Sequence, residues 1–267
     1  MKFGMPTLVE CNDIFECHKV AKSCCLDFIE INMSFPQYQP SNLDTAALKK
    51  LCRADEIFYT IHADEMLNPF DFDNRVSNCY FDVMRDTIRF AKELSVPVIN
   101  MHLLKGVYVT LPNKVVLLND IYFDKYREKV RQFVDMCESV IGDSNVKICL
   151  ENVDSNPFTE SQIRVMDIFM NSEVFGLTLD TGHEFCLNYA DSPVFKQYAD
   201  KLYHMHLHDA VDKKTHLPLG EGILNVKEKL SSLTNEATCL IEVKTVDGLE
   251  KSIEYIKELN GRDYYDK

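Results

Sequence analysis

Tryptophan is absent from the 267 residues, and so are the signals of several common protein classes. No window approaches 18 consecutive apolar residues, which excludes an expected transmembrane helix. The N-terminal MKFGMPTLVECND meets Glu10 and Asp13 before any apolar run reaches signal-peptide length. None of the ten cysteines belongs to a CxxC pair. They are scattered, Cys24 and Cys25 are adjacent, and Cys149 sits in an apolar run, a usage expected of reduced thiols in a cytoplasmic protein. GxGxxG and GxxxxGK[ST] loops are missing as well, which counts against nucleotide binding; no organic cofactor is expected. There is no obvious basic stretch, and the formal charge of −13 disfavours a surface built to neutralise many phosphates. Some of the excess carboxylates could instead face bound cations.

What is present is an ordinary globular composition, 46% hydrophobic and 27% charged. Short β-rich runs alternate with helical ones. Strands are predicted over 2–5, 27–32, 57–62, 97–102, 147–152, 176–181, 202–207 and 238–243. Between them, Phe81, Met84, Ile88 and Ala91 form one helical stripe, and Phe133, Met136, Cys137 and Val140 another. Thr159 with Gln162 reads as a capping box ahead of Ile163, Met166 and Phe169, and Asp247 with Glu250 as the start of the last helix. Eight βα units in a chain of this size predict a (β/α)8 TIM barrel, one α/β domain over residues 1–267. The connections 63–78 and 104–121 are long, as loops covering a site often are. Phe70, Phe72 and Tyr108 in them are expected to line a pocket or a subunit contact, so a homo-oligomer stays open.

Six of the eight predicted strands end in a metal-ligand residue: His62, His102, Glu151, Asp180 (with His183 just beyond), His206 and Glu242. A barrel opens all those ends on one face, so residues distant in sequence converge there. A single histidine in a strand is more often a hydrogen-bonded core residue, and DTGH alone can be a mere turn. Glu151 and Glu242, however, each follow an apolar run. Two buried carboxylates facing the same cavity as Asp180 would repel one another, and a divalent cation is the simplest remedy. Carboxylate and imidazole donors without thiolate suit Mn²⁺, Co²⁺, Zn²⁺ or Fe²⁺.

The segments IHAD at His62, NMHL at His102, LEN at Glu151, LDTGH with Asp180 and His183, MHLHD with His206 and Asp209, HLPLGEG from His216 and IE ending at Glu242 resemble the xylose isomerase-like TIM-barrel superfamily over nearly the whole chain. That group contains sugar isomerases and epimerases together with endonuclease IV type AP endonucleases. The resemblance implies a metal held by Glu151, Asp180, His206 and Glu242, with Mn²⁺, Zn²⁺ or Co²⁺ as one or two ions. His62 and His102 would provide a second metal site or substrate contacts. The endonuclease pattern adds a third metal from the DxxH histidine and a DxH pair; His183 and His216 match it, but Lys214 stands where that aspartate belongs, with Asp209 or Asp212 as substitutes left open.

The expected activity is that of a metal-dependent isomerase or epimerase of a sugar, sugar phosphate or related polyol. Glu151 and Glu242 would move the proton through a metal-stabilised enediolate. His183, His208, Lys214 and His216 would contact the substrate and Asp209 would support the ligands from behind. The alternatives are a phosphodiesterase acting on abasic DNA, the one reading with a nucleic-acid partner, and a ligand-binding barrel without turnover. In YHMHLHDA, His206 is expected as the ligand, His204 as a core residue one layer lower, and His208 as support.

Overall fold

Eight short strands, rich in β-branched and aromatic residues, run parallel and are buried on both faces, as strands do when helices cover a sheet. They are β1 (Lys2–Pro6), β2 (Phe28–Asn32), β3 (Phe58–His62), β4 (Val98–His102), β5 (Lys147–Glu151), β6 (Phe175–Asp180), β7 (Leu202–Leu207) and β8 (Thr238–Ile241). Each pairs with its neighbours in chain order, and β8 pairs with β1 through Lys2↔Thr238 and Gly4↔Leu240, closing the barrel. This computed structural model describes residues 1–234 and 236–259. The predicted (β/α)8 barrel is the observed fold.

Local chemistry sets the helix starts. Asp13, Asp44 and Asp73 cap the helices Ile14–Ser23, Thr45–Asp55 and Asn74–Leu94 by accepting from backbone N–H groups of the first turn. Thr159 and Gln162 form the expected capping box of Glu160–Met170. The last helix, Val246–Leu259, begins one residue before Asp247; the hydroxyl of Thr245 accepts from Gly248 in the role expected of Asp247.

The core lies between barrel and helices. Phe133 meets Phe70, Phe81 and Phe175 edge-on or tilted, and Phe70 also meets Tyr126 and Phe169. Phe70, expected in a pocket, is therefore a core anchor, and the NPFDFDN segment ends in the cap of Asn74–Leu94. Conversely, Ile163, expected on an apolar stripe, is 51% exposed.

Two connections fold further than expected. Residues 104–121 contain an exposed antiparallel hairpin, Tyr108–Leu111 with Lys114–Leu117, and a short helix, Leu118–Ile121. After β7 a second hairpin, Asp209–Val211 with Lys214–Leu217, folds over the strand ends.

Inside the barrel, beneath the strand ends, the filling is polar: Glu30, Thr60, Asn100, Thr178, His204 and Thr238 are all buried. Hydrogen bonds from Thr60 Oγ1 to Glu30 Oε2 (2.9 Å), between His204 Nδ1 and Thr238 Oγ1 (2.6 Å) and between His204 Nε2 and Glu30 Oε2 (3.1 Å) tie part of that layer together, while Asn100 Oδ1 and Thr178 Oγ1 are buried without a partner.

Candidate metal centre

Register aligns the donors before side chains are considered. Asp180 on β6 lies opposite His206 on β7, and His102 on β4 lies opposite Glu151 on β5. From these ends, one donor atom each of Glu151, Asp180, His206 and Glu242 comes within 4.8 Å of the other three. His206 Nδ1 is 3.1 Å from Glu151 Oε1, 3.0 Å from Glu242 Oε2 and 4.0 Å from Asp180 Oδ2. All four side chains are largely or wholly buried.

These short approaches are not hydrogen bonds of acceptable direction. Both ring nitrogens of His206 and Oε2 of Glu242 are buried without a hydrogen-bond partner. Three carboxylates facing one buried imidazole, with both nitrogens of His206 and one oxygen of Glu242 unsatisfied, are costly as they stand and fit a divalent ion. Their oxygen and nitrogen chemistry suits Mn²⁺, Co²⁺ or Zn²⁺. The charges respond accordingly. Burial alone would lower His206, but Glu151, Glu30 and Glu242 outweigh it and hold the imidazole well above its ordinary range. Burial alone would raise Glu151 and Glu242, and His206 in turn holds both well below the carboxylate range.

Behind the donors stand residues that strand-end reasoning passed over. Glu30 on β2, 1% exposed, places Oε1 3.1 Å from His206 Nε2 and so braces the ring from the side away from the carboxylates. Asn100 donates to Glu151 Oε2 in a short contact. Asn152 clamps β5 to β6: its amide donates to the Asp180 carbonyl (3.0 Å), its side-chain oxygen accepts from Asp180 N (2.8 Å), and its carbonyl accepts from His183 Nδ1 (3.1 Å). Glu30 carried a readable signal, since FIEIN buries a carboxylate in an apolar strand as ICLE does. It sits inside the barrel, away from the strand end where ligands were sought.

His62 and His102 do meet Glu151, with Nε2 atoms 3.4 and 3.3 Å from Oε2, and the three form a second possible donor group. His62 Nδ1 donates to the Ala63 carbonyl at 2.7 Å, which turns Nε2 inward. Burial lowers His62, yet Glu151 more than offsets it and raises the group to about 9.

Asp180 caps the short helix Thr181–Cys186 by accepting from His183 N at 2.7 Å, so the DTGH segment is both a turn and a donor pair. His183 therefore lies on a short helix that follows β6. His183, His208 and His216 gather beside Asp180. His216 Nε2 reaches Glu242 Oε1 at 3.3 Å.

Two further expected residues lie in the hairpin after β7. Lys214 is exposed near the turn of the second hairpin, its side chain making no hydrogen bond or ion pair among the described residues. Asp209 supports no ligand; its carboxylate accepts from the backbone N–H groups of Ala210, Gly220 and Leu224 at 2.9 to 3.0 Å and so ties down the loop after β7.

A cavity of about 150 Å³ touches Glu30, His62 and Glu242 and is closed by Thr7, Asn32, Phe35, Glu65 and Lys244 among others. Lys244 Nζ bonds Glu242 Oε1 at 2.8 Å. A cleft of about 330 Å³ opens over the loops after β3, β4 and β5. Another cleft, about 770 Å³ beside Phe72 and Tyr122, lies on the outer helical face and touches no donor.

The comparisons agree with this architecture. The chain resembles a D-tagatose 3-epimerase-like protein at 25% identity, covering 97% of this chain and 96% of that one with a TM-score of 0.77. It also resembles D-psicose 3-epimerase from Clostridium cellulolyticum H10, solved with D-tagatose, at 15% identity, 97% and 98% coverage and a TM-score of 0.73. The IOLI protein, solved with a bound zinc atom, matches at 15% identity over 100% of both chains with a TM-score of 0.74. Among curated proteins no sequence matches. The model of the xylose isomerase-like TIM barrel matches residues 19–259, and the chain belongs to that family.

Proposed function

We propose that the protein is a divalent-metal-dependent sugar epimerase or isomerase. The observation that carries this reading is the pair of carboxylates, Glu151 Oε1 and Glu242 Oε2, that converge on His206 Nδ1 at 3.1 and 3.0 Å beside a partly open cavity. Glu151, Asp180, His206 and Glu242 would hold the ion, whose contribution is Lewis-acid stabilisation of negative charge developing on substrate oxygens. His206 favours the ionised form of both Glu151 and Glu242; the one that is ionised removes a proton from the carbon next to a carbonyl, and the other, having first taken a proton from solvent, delivers it to the opposite face, so a turnover exchanges the protonation states of the two carboxyls. His62, beside the cavity, and His183 orient hydroxyl groups, and Lys244 anchors Glu242. Several of the similar solved structures are named as sugar epimerases, which supports the same class.

One observation favours a second reading. The His62, His102 and Glu151 group could hold a second ion, as a metal-dependent phosphodiesterase requires. A parallel assay separates the two: solvent deuterium incorporation into a panel of ketoses and their phosphates, against cleavage of an abasic-site duplex. Exchange without cleavage is expected, and Glu151→Gln and Glu242→Gln should each abolish it. Cleavage without exchange would replace the first reading by the second.

A further inference from the structure

Asp180, His183, His208 and His216 place one donor atom each within 4.8 Å of one another and look like a further metal site. The hydrogen-bond directions argue otherwise. The His216 backbone N–H points at His208 Nδ1 at 2.8 Å, and an amide N–H can only donate, so that nitrogen carries no proton. The Asp209 carbonyl is the longer competing contact at 3.3 Å; a proton on Nδ1 would be driven against the amide. The proton of neutral His208 then sits on Nε2, which lies 3.0 Å from both Oδ1 and Oδ2 of Asp180 and donates to that carboxylate. Binding a metal through Nε2 would require an imidazolate.

The surroundings hold the ring in this pose. His208 is fully buried and stacks on the His216 ring at 4.3 Å and 14°. His216 adopts a left-handed backbone (φ +58°), uncommon for a residue with a side chain. Gly182 leaves the room: a Cβ there would lie 2.1 Å from His208 Cε1.

We propose that His208 is a positioning residue that fixes the plane of the Asp180 carboxylate, and that its locked tautomer closes the Asp180, His183, His208 and His216 group to a metal ion. The inference rests on Asp180 being a ligand of the proposed centre. It is tested by titrating Co²⁺ into chelator-stripped wild type, His208→Ala and His208→Gln, with bound equivalents from elemental analysis and affinity from competition with a chromophoric chelator. The glutamine amide can donate to Asp180 but is a poor ligand for Co²⁺.

Expected are equal equivalents in all three proteins, an affinity about 10–100-fold lower in His208→Ala, and recovery to within a few-fold in His208→Gln. Loss of one equivalent in either variant would make His208 a ligand and overturn the proposal. Unchanged affinity in His208→Ala would overturn it alone, whereas a wild-type chain that takes up no Co²⁺ would overturn the metal centre with it. Imidazole ¹⁵N shifts of the wild type provide a check independent of variant folding: His208 should be protonated at Nε2, and a proton at Nδ1 would refute the lock.

Discussion

Glu30 shows how much a single buried carboxylate carries here. It accepts from Thr60 and meets Nε2 of both His204 and His206, so its loss strands two imidazoles at once. Glu30→Ala should destabilise the fold by about 3–5 kcal/mol, read from urea unfolding, because it leaves buried partners uncompensated. Strand-end position made six donor residues legible, since the type and place of a residue both survive in sequence. Glu30 lies within a strand, where position in the sequence says nothing of a site, and only three-dimensional depth assigns it to His206. The partners of Asp209 were not legible for a related reason: spacing along a loop does not tell which way a hairpin turns its side chains, and its carboxylate meets backbone N–H groups of that loop.

Among elements, the strands were the most readable, because full burial demands unbroken apolar runs and a change of period separates them from the amphipathic helices. Residues 104–121 were read as loop, yet they pair Tyr108↔Leu117 and Leu111↔Lys114 across Pro112 and Asn113. Four-residue strands exposed on their faces leave no alternation with which to announce themselves. Capping was local enough to read directly. Thr159→Ala, which removes one half of the capping box, should cost about 1 kcal/mol in equilibrium unfolding while leaving metal affinity unchanged.

For the whole molecule, ions entering the proposed centre would compete with protons. His206 is held well above the ordinary imidazole range and His62 at about 9, so a bound ion would displace protons near neutral pH. Metal affinity should therefore rise with pH up to about 9, by about tenfold per pH unit for each proton displaced. Calorimetry in buffers of different ionisation enthalpy will count those protons. The sign reverses for the metal-free fold: a raised imidazole stabilises below its unfolded pKa, and His62's contribution is lost as pH rises through about 9. No helix among the described residues is long and apolar enough to cross a membrane.

The pairing of β8 with β1 joins residues more than two hundred positions apart, and Glu242 follows directly on β8. A growing chain thus carries Glu151, Asp180 and His206 well before the fourth donor emerges. Ring closure and completion of the donor set become one folding event, so a bound ion would act as a latch on the last and entropically most expensive contact of the barrel.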